Sequence, residues 1–414
     1  MKTLKNLNLK GKKVLVRCDF NVPFDEKGLI SDDSRIKETL PTIEYLIKKG
    51  AKIILMSHLG RPEKNQKSNT EIPFMEAMVK KRTKFSSPIK NQKFSLGPIA
   101  LRLEELLRQK VNFLDDCVGE KIEKEIDETK EGEVILLENL RFYDEEENND
   151  NGFAKKLAKL GDIYINDAFS ASHRSHTSIV GIPKYLPSGA GLLFEKEIKI
   201  LSKVLGSPWH PLVVIIGGVK IESKIGVIEQ FLKKADHLLL GGEIANTILI
   251  GKGVSLGRPL LDNKEIVKKI EKINITCPRI HLPVDGVISL ENMAEGYFKI
   301  GAIGSVKKEE KVYDIGPETI EIFSEIIKQA KMILWSGPLG LFEEKKFENG
   351  TKETAQNIVR NHSAFKVAGG GDTISALNKF GLLDKFDHVS TGGGAMLEFL
   401  SGEKLPGIEA LNRY

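Results

Sequence analysis

Short, mostly apolar runs alternate with amphipathic stretches along almost the whole chain. Strands of a parallel sheet are buried on both faces and read as apolar runs, whereas the helices between them carry one apolar stripe. The runs begin at Val14, Ile53, Val111, Val134 and Ile163, and then at Val213, Leu238, Arg279, Met332, Phe365 and Asp387. The pattern predicts an α/β protein with two doubly wound, Rossmann-like parallel sheets.

Residues 36–49 are typical of the predicted helices, with Ile36, Ile43 and Leu46 on one face. Because proline lacks the backbone N–H that a helix interior uses, Pro41 predicts that this helix begins near Thr39.

The length of 414 residues exceeds what one hydrophobic core usually serves, so we expect two domains. Residues 1–188 form the predicted first domain and residues 207–398 the second. Gly189 and Gly191 precede a helical pattern that stops near Gly206, which predicts a connecting helix over 189–206. The segment 399–414 is too short to stand alone, and we expect it to complete the first domain.

Composition excludes several classes of protein. The net charge of +5 comes from 62 basic and 57 acidic residues, without the polybasic block of a nucleic-acid-binding arm. No run approaches the roughly 18 apolar residues that span a bilayer. Three scattered cysteines, Cys18, Cys117 and Cys277, do not fit a disulfide framework. We therefore expect a cytoplasmic protein, a monomer that binds neither membranes nor nucleic acid.

The segment 63–93 interrupts the strand and helix rhythm. It carries eight Lys or Arg residues against three acids, with few strand formers. We interpret it as a solvated surface insertion rather than a binding patch.

Arginines follow the apolar runs of the first half. Ligands of doubly wound sheets bind beyond the carboxyl ends of the strands. Those ends carry Arg17, Arg61, Arg141 and Arg174, together with His58 and His173. Converging positive charges repel unless an anion neutralises them, and arginine suits phosphate and carboxylate. A small phosphorylated acid is the predicted ligand, although Arg17 alone could be a structural ion pair with Asp19.

Glycines and lysines take the place of arginines in the second half. Gly369, Gly370 and Gly371 allow backbone N–H groups to approach an anion, and Asp372 with Thr373 opens a helix whose N-terminus favours phosphate. Lys220 and Lys224 share a helical face or flank one turn. The second half is therefore predicted to bind phosphate through backbone N–H groups and lysines, where the first half uses arginines.

Motifs of other enzyme classes are missing from the sequence. Neither GxxxxGK[ST] nor GxGxxG occurs, and no H-R-D loop or GxSxG elbow is present. His173 and His176 are three residues apart but lack a carboxylate at metal-ligand spacing, which favours a histidine-rich turn.

Several strings resemble the phosphoglycerate kinase family, in family order over nearly the whole chain. They are VRCDFNVP, SHLGRP, LLENLRF, SHRSHTS, IGGVKIESK, WSGPLGLFE, VAGGGDT and STGGGA. The resemblance implies reversible transfer of the acyl phosphate of 1,3-bisphosphoglycerate to ADP, giving ATP and 3-phosphoglycerate in glycolysis and gluconeogenesis. It also implies Mg²⁺ with the nucleotide, and in-line transfer in a cleft that closes by hinge motion.

The resemblance also implies site residues. Those for the acid are Asp19, Asn21, Arg35, His58, Leu59, Gly60, Arg61, Arg141, His173 and Arg174, with Arg35 reaching toward the transferring group. Those for the nucleotide are Gly218, Lys220, Lys224, Gly242, Pro338, Glu343 and Gly369 to Thr373, with Glu343 near the ribose and Asp372 on the metal. Arg35, Lys220, Gly371 and Gly394 are the implied catalytic residues.

The sequence departs from the family pattern at two positions of the nucleotide half. Ser336 stands where Asn is usual, and Glu243 stands where a small or apolar residue is common. Two other interpretations remain: a protein of this fold that binds without turnover, and a kinase for a different small acid.

Overall fold

The computed structural model describes residues 1–62, 92–257, 263–290 and 297–412. The chain divides into two compact units. Unit 1 contains Met1–Ile198 and Lys404–Tyr414, and unit 2 contains Lys199–Glu403. The basic segment 63–93 lies outside the described residues, apart from Gln92 and Lys93 at its end.

Unit 1 contains a six-stranded parallel sheet. Its strands are β1 (Lys13–Arg17), β2 (Lys52–Met56), β3 (Val111–Phe113), β4 (Val134–Leu136), β5 (Ile163–Asn166) and β6 (Ser188–Ala190). The spatial order is β3-β4-β2-β1-β5-β6. The five predicted runs are confirmed as strands, but β6 was not predicted, because Ser-Gly-Ala carries no apolar run.

Helices pack around this sheet. They are α1 (Ser34–Lys48), α2 (Gly97–Leu107), α3 (Glu120–Asp127), α4 (Asp144–Glu147) and α5 (Asn151–Ala158), and the C-terminal helix Pro406–Asn412 also belongs to unit 1. In α1, Ile36, Ile43 and Leu46 are fully buried in the core that also holds Val14 and Ile53.

The start predicted for α1 was wrong. The helix begins at Ser34, and Pro41 lies inside it. Pro41 is exposed, so water can replace the backbone bond that its ring removes. The earlier start has a consequence for function, because it places Arg35 in the first turn.

The connecting helix α6 spans Leu192–Gly206, and the boundary between the units falls within it, after Ile198. It begins three residues later than the predicted 189, because residues 188–190 pair with the edge of the sheet as β6. The chain returns to unit 1 at Lys404 rather than at the predicted residue 399. The reason is that the helix Gly394–Leu400 packs within unit 2.

Unit 2 contains a second six-stranded parallel sheet. Its strands are β7 (Leu212–Ile216), β8 (His237–Leu240), β9 (Ile280–His281), β13 (Met332–Ser336), β14 (Phe365–Gly369) and β15 (His388–Ser390). Their order is β15-β14-β13-β7-β8-β9. The helices are α7 (Ile225–Phe231), α8 (Gly242–Gly251), α9 (Lys264–Lys272), α10 (Pro317–Gln329), α11 (Asn349–Arg360), α12 (Gly371–Lys379) and α13 (Gly394–Leu400). The six predicted strands are confirmed.

A small antiparallel sheet in unit 2 was not predicted. It consists of β10 (Asp285–Leu290), β11 (Lys299–Ala302) and β12 (Glu310–Ile315), in the order β11-β10-β12. Charged residues such as Lys311 and Asp314 interrupt its apolar positions, so its strands lack the continuous runs of the parallel sheets. Within the described ranges, the helices are too short or too polar to cross a membrane.

Candidate functional site

Asp19 and Arg35 form an ion pair at the carboxyl end of the unit 1 sheet. Asp19 follows β1, and Arg35 reaches it from the first turn of α1. The Ser170 hydroxyl donates to the same carboxylate oxygen, and the Asn21 backbone N–H donates to the other at 3.1 Å. Burial opposes ionisation of Asp19, but the charge of Arg35 and the hydrogen bond from Ser170 hold its pKa below the usual value. Asp19 is thus an anchor that orients Arg35.

Arg17 does not lie open to a ligand, which corrects its placement among the converging arginines. Its side chain is only 1% exposed. It donates to the Ser178 hydroxyl at 2.8 Å, to the Cys18 carbonyl, and to Nδ1 of His58 at 3.1 Å. Arg17 therefore has a structural role, in which its buried side chain is held by Ser178, Cys18 and His58.

His58 is neutral in this setting. Burial, and then the charge of Arg17, lower its pKa well below the usual value. Because an arginine can only donate, Nδ1 of His58 accepts from Arg17, and the ring carries its proton on Nε2.

The loop after His58 is fixed by contacts with two neighbouring segments. Gly60 has φ +60°, and a Cβ there would lie 2.5 Å from the Phe94 ring. Its N–H donates to the Asn21 side chain at 2.9 Å, and its carbonyl accepts from Arg141 at 2.6 Å. Leu59, next to it, is held by both side-chain atoms of Asn139. The structure thus brings Asn21, Gly60 and Arg141 together.

Positive charge accumulates along this edge. Arg61 and Arg174 are exposed, and His173 is half-buried. The pKa of His173 is lowered by burial and then by Arg174, and that of His176 falls to about 4 through burial and three arginines. Burial is the larger cause of both shifts, and the smaller contribution from the arginine charges is the part that also favours a bound anion.

A cavity of about 370 Å³ lies at the carboxyl ends of β7 and β8 in unit 2. Its lining contains Gly218, Val219, Gly242, Glu243, Asn246, Pro283, Val312, Tyr313, Asp314, Ile315, Pro338, Leu339, Gly340, Leu341, Glu343 and Asp372. The predicted nucleotide residues Gly218, Gly242, Pro338, Glu343 and Asp372 therefore share one cavity.

The two lysines of the phosphate-binding half have different environments. They flank a single turn, Ile221–Ser223, rather than sharing a helical face. Lys220 is exposed, whereas Nζ of Lys224 donates to the carbonyls of Gly217 at 2.6 Å and Ser336 at 3.0 Å. Burial lowers the pKa of Lys224 to about 8, against the opposing charge of Asp372. Lys220 is the lysine that lies open to solvent.

The glycine loop after β14 leads into helix α12. Gly370, with φ +101°, is the residue before the helix. Thr373 is buried; its hydroxyl accepts from the Gly337 N–H at 2.6 Å and donates to the Gly369 carbonyl at 3.0 Å. Thr373 therefore ties the loop to the end of β13, while Gly371 and Asp372 stay exposed at the N-terminus of the helix. Gly394 is likewise exposed where α13 begins.

Comparison with known proteins agrees with this geometry. The family model for phosphoglycerate kinase matches residues 4–403. The chain belongs to the phosphoglycerate kinase family. As a kinase it is a phosphotransferase, and the family places it in glycolysis.

Proteins similar in sequence and in structure match this chain over almost its full length. The phosphoglycerate kinase of Dictyoglomus turgidum is 46% identical over 411 residues, which is 99% of this chain and 97% of the relative. That of Borrelia garinii subsp. bavariensis is 45% identical over the whole of both chains. The solved phosphoglycerate kinase of Coxiella burnetii superposes with a TM-score of 0.81 at 36% identity, covering 99% of this chain and 98% of its own.

Sequence reasoning missed three polar residues that shape the acid half. Ser170 contacts Asp19, Asn139 clamps the loop at Leu59, and Ser178 joins Arg17 to Glu146. Ser170 and Asn139 each lie a few residues after a strand, so a broader search of strand ends for hydrogen-bonding side chains would have found them. Ser178 gives no such signal, because only the fold brings it to Arg17.

Gly371 offers a test of close ligand approach, because an added Cβ would meet no protein atom within 4 Å and its φ is not positive. Gly371→Ala should fold normally, with a small gain of about 0.5–1 kcal/mol from helix propensity. Turnover should nevertheless fall by about tenfold or more if Gly371 contacts a phosphate as the sequence predicts, because the methyl group would then occupy the space of that contact. Thermal unfolding measures the expected gain in stability, and steady-state kinetics measure the expected loss of turnover. Unchanged kinetics would remove Gly371 from the catalytic list.

Proposed function

We propose that the chain transfers the acyl phosphate of 1,3-bisphosphoglycerate reversibly to ADP, giving ATP and 3-phosphoglycerate. The observation that carries this proposal is the cationic edge of unit 1, where the charges of Arg35 and Arg141 act on a neutral His58 and Arg61 and Arg174 are exposed. Such an edge suits an acid that bears both a phosphate and a carboxyl group.

The acid half supplies both binding and orientation in this proposal. Arg61, Arg141 and Arg174 bind the acid with His173, and the fixed loop of Leu59 and Gly60 shapes the surface beneath it. Asp19 holds Arg35 at the sheet edge, with Asn21 bridging to Gly60. Arg35 alone among these arginines is proposed to act on the transferring group.

The nucleotide half is proposed to divide the nucleotide between two places. The cavity takes the nucleoside, with Glu343 near the ribose. The phosphates lie against Lys220, Lys224 and the exposed N-termini of α12 and α13, where backbone N–H groups and the helix dipole favour negative charge.

Magnesium is proposed to bind together with the nucleotide. Among the described residues, no group of three or more His, Cys, Asp or Glu side chains could hold a metal ion. Mg²⁺ commonly binds through one or two carboxylates together with substrate phosphates and water, and the exposed Asp372 fits that role. Bound there, it would neutralise charge on the phosphates.

The reaction needs neutralisation of charge rather than proton transfer. In the ATP-consuming direction the nucleophile is a carboxylate, which is ionised at neutral pH, so no general base is required. Repulsion between anions is the main barrier, and arginines, lysines and helix N-terminal amides lower it. Because each unit supplies one ligand set, we propose in-line transfer after hinge closure, which also excludes water.

A cytoplasmic monomer remains the proposed form. Cys18 and Cys117 are buried free thiols and Cys277 is a half-buried one, as a reducing compartment allows.

A coupled assay with 3-phosphoglycerate, ATP and Mg²⁺ tests the function. We expect ADP formation that depends on all three components. Pyruvate kinase and phosphoenolpyruvate convert the ADP to ATP and pyruvate, and lactate dehydrogenase then reduces the pyruvate with NADH, whose oxidation is measured. A panel of other small carboxylic acids, with and without a phosphate, serves as the control. Turnover with another acid but not with 3-phosphoglycerate would indicate a different small-acid kinase. Binding of both ligands without turnover would indicate a binding protein.

A further inference from the structure

A buried side-chain amide lies beneath the proposed acid-binding edge of unit 1. Asn139 is fully buried. Its Nδ2 donates to the carbonyls of Leu59 at 2.8 Å and Phe94 at 2.9 Å. Its Oδ1 accepts from the backbone N–H groups of Leu59 at 3.2 Å and Arg141 at 3.0 Å. Because a side-chain amide has two donor hydrogens and an oxygen with two lone pairs, Asn139 uses all four of its hydrogen-bonding positions within the protein.

These four hydrogen bonds join three segments that are far apart in the chain. Asn139 is 80 residues from Leu59, in the loop after β2, and 45 residues from Phe94, which precedes α2. Arg141 lies in the turn Leu140–Phe142 after β4. Displacing any one segment would break at least one buried hydrogen bond, and a buried polar group without a partner costs free energy. The amide therefore fixes how the three segments lie against one another.

Glu138, the residue before Asn139, holds one of these segments at a second point. Glu138 is buried, and its side-chain oxygens accept from the Ser95 hydroxyl at 2.7 Å and the Leu96 backbone N–H at 2.8 Å. They also accept from the backbone N–H of Asn139 itself at 2.7 Å. The segment that Asn139 contacts at Phe94 is thereby tied to the end of β4 by two neighbouring side chains.

The segments that Asn139 holds carry residues of the proposed acid site. The Gly60 carbonyl accepts from Nη1 of Arg141 at 2.6 Å. The Phe94 ring packs against Gly60, where an added Cβ would lie 2.5 Å from it. Arg61 follows Gly60 directly in the chain. Asn139 is itself too deeply buried to meet a ligand, but it holds the backbone of residues that are proposed to bind one.

We propose that Asn139 is a positioning residue for the acid, whose amide holds the loop of Gly60 and Arg61 against Arg141 and so sets the affinity for the acid without touching it. This inference rests on the proposed function and adds to it a residue outside the binding surface. Groups that are held in place before a ligand arrives lose less conformational freedom on binding. Loosening the loop should therefore weaken binding in the ground state and the transition state alike.

Asn139→Asp tests the inference with an almost unchanged side-chain shape. Aspartate has no side-chain N–H, so it offers at most one donor, and only when protonated, to the two carbonyls that Asn139 serves. We expect the KM for 3-phosphoglycerate to rise by about tenfold, the scale on which outer-shell hydrogen bonds alter affinity at metal sites. Loss of uniform binding leaves kcat nearly unchanged, and the KM for ATP should not move. Calorimetric titration with 3-phosphoglycerate alone should show the same loss of affinity.

Asn139→Ser is a second variant that introduces no charge, for use if Asn139→Asp does not fold. Its hydroxyl donates a single hydrogen bond, so the KM for 3-phosphoglycerate should again rise while kcat and the KM for ATP stay nearly constant. Circular dichroism and thermal unfolding identify the correctly folded variants.

Asn361→Asp is the matched control, because Asn361 is a buried asparagine of unit 2 with the same kind of contacts. Its Nδ2 donates to the carbonyls of Ile327 at 2.8 Å and Ala330 at 3.0 Å. Its Oδ1 accepts from the backbone N–H groups of Ser363 at 3.0 Å and Ala364 at 3.1 Å. This substitution should lower the free energy of unfolding but leave the KM for 3-phosphoglycerate unchanged.

An unchanged KM for 3-phosphoglycerate in a folded Asn139 variant would overturn the inference. An equal rise in the KM for ATP, or an equal effect of Asn361→Asp on the KM for the acid, would overturn it as well, because the effect would then come from general loosening of the fold. In each of these cases the native enzyme would still turn over 3-phosphoglycerate and ATP. Failure of the proposed function would instead leave the native enzyme without that turnover.

Discussion

Arg35→Ala should lower turnover by on the order of a hundredfold or more, by analogy with the loss of a preorganised charge donor. Arg35 is held by Asp19, and its side chain remains 38% exposed at the sheet edge, so it can reach a transferring group. Removing an interaction that forms only as charge is transferred lowers kcat and kcat/KM together. The KM for 3-phosphoglycerate should therefore change little. Steady-state kinetics at fixed ionic strength measure this.

Arg141→Ala should behave differently, because Arg141 is engaged in the acid loop. Its Nη1 donates to the Gly60 carbonyl at 2.6 Å, and it pairs with Glu147. Losing ground-state binding should chiefly raise the KM for 3-phosphoglycerate.

Two further variants control for folding and charge. Lys37→Ala removes an exposed positive charge two residues along α1 from Arg35 and should leave turnover unchanged. Arg35→Lys keeps a positive charge beside the buried Asp19 but loses the planar fork, and should recover only part of the turnover. Near-normal turnover for a correctly folded Arg35→Ala would remove Arg35 from the catalytic list.

The parallel sheets could be predicted because their strands are buried on both faces. The apolar runs at Val14 and Met332 are fully buried strands in the structure, as burial on both faces requires. Residues 188–190 and β10–β12 gave no such signal. The pairing of β6 depends on backbone hydrogen bonds, to which side-chain hydrophobicity gives no guide.

The candidate site could be placed at strand ends, but the direction of each side chain could not. Arg17 and Arg141 both follow apolar runs and look alike in sequence. Their difference comes from partners distant in the chain, since Ser178 is 161 residues from the Arg17 that it anchors. Whether an arginine meets a ligand or the protein depends on such tertiary contacts.

Asp167 is a buried carboxyl group that sequence patterns did not single out. It follows β5 and is fully buried. Its Oδ1 accepts from the backbone N–H groups of Leu193 at 3.0 Å and Phe194 at 3.2 Å, in the first turn of α6. Burial raises the pKa of Asp167 to about 7, against the contacts with Thr42 and the helix N–H groups.

This pKa makes the folded state lose stability as the pH rises. In the unfolded chain an aspartate releases its proton near pH 4, whereas folded Asp167 keeps it until about pH 7. Between these values the folded state binds one more proton than the unfolded state. The contribution of Asp167 to the free energy of unfolding should therefore fall by about 1.4 kcal/mol per pH unit, or about 4 kcal/mol across the window. Below pH 4 the contribution is fully retained.

Asp167→Asn should remove this loss, because asparagine keeps the oxygen that caps α6 but cannot ionise. At pH 4.5 the carboxyl group is neutral in the folded state, so native and variant proteins should differ little in the midpoint of urea unfolding. That condition is the internal control for packing. By pH 7.5 the variant should be more stable by several kcal/mol. Burial also raises the pKa of Glu138 to about 7 and that of Asp314 to about 8, but both proteins share these groups, so their contributions cancel in the comparison. If the urea midpoints of the native and variant proteins instead differ by the same amount at pH 4.5 and at pH 7.5, Asp167 is ionised in the folded state. The N-terminus of α6 would then stabilise its charge.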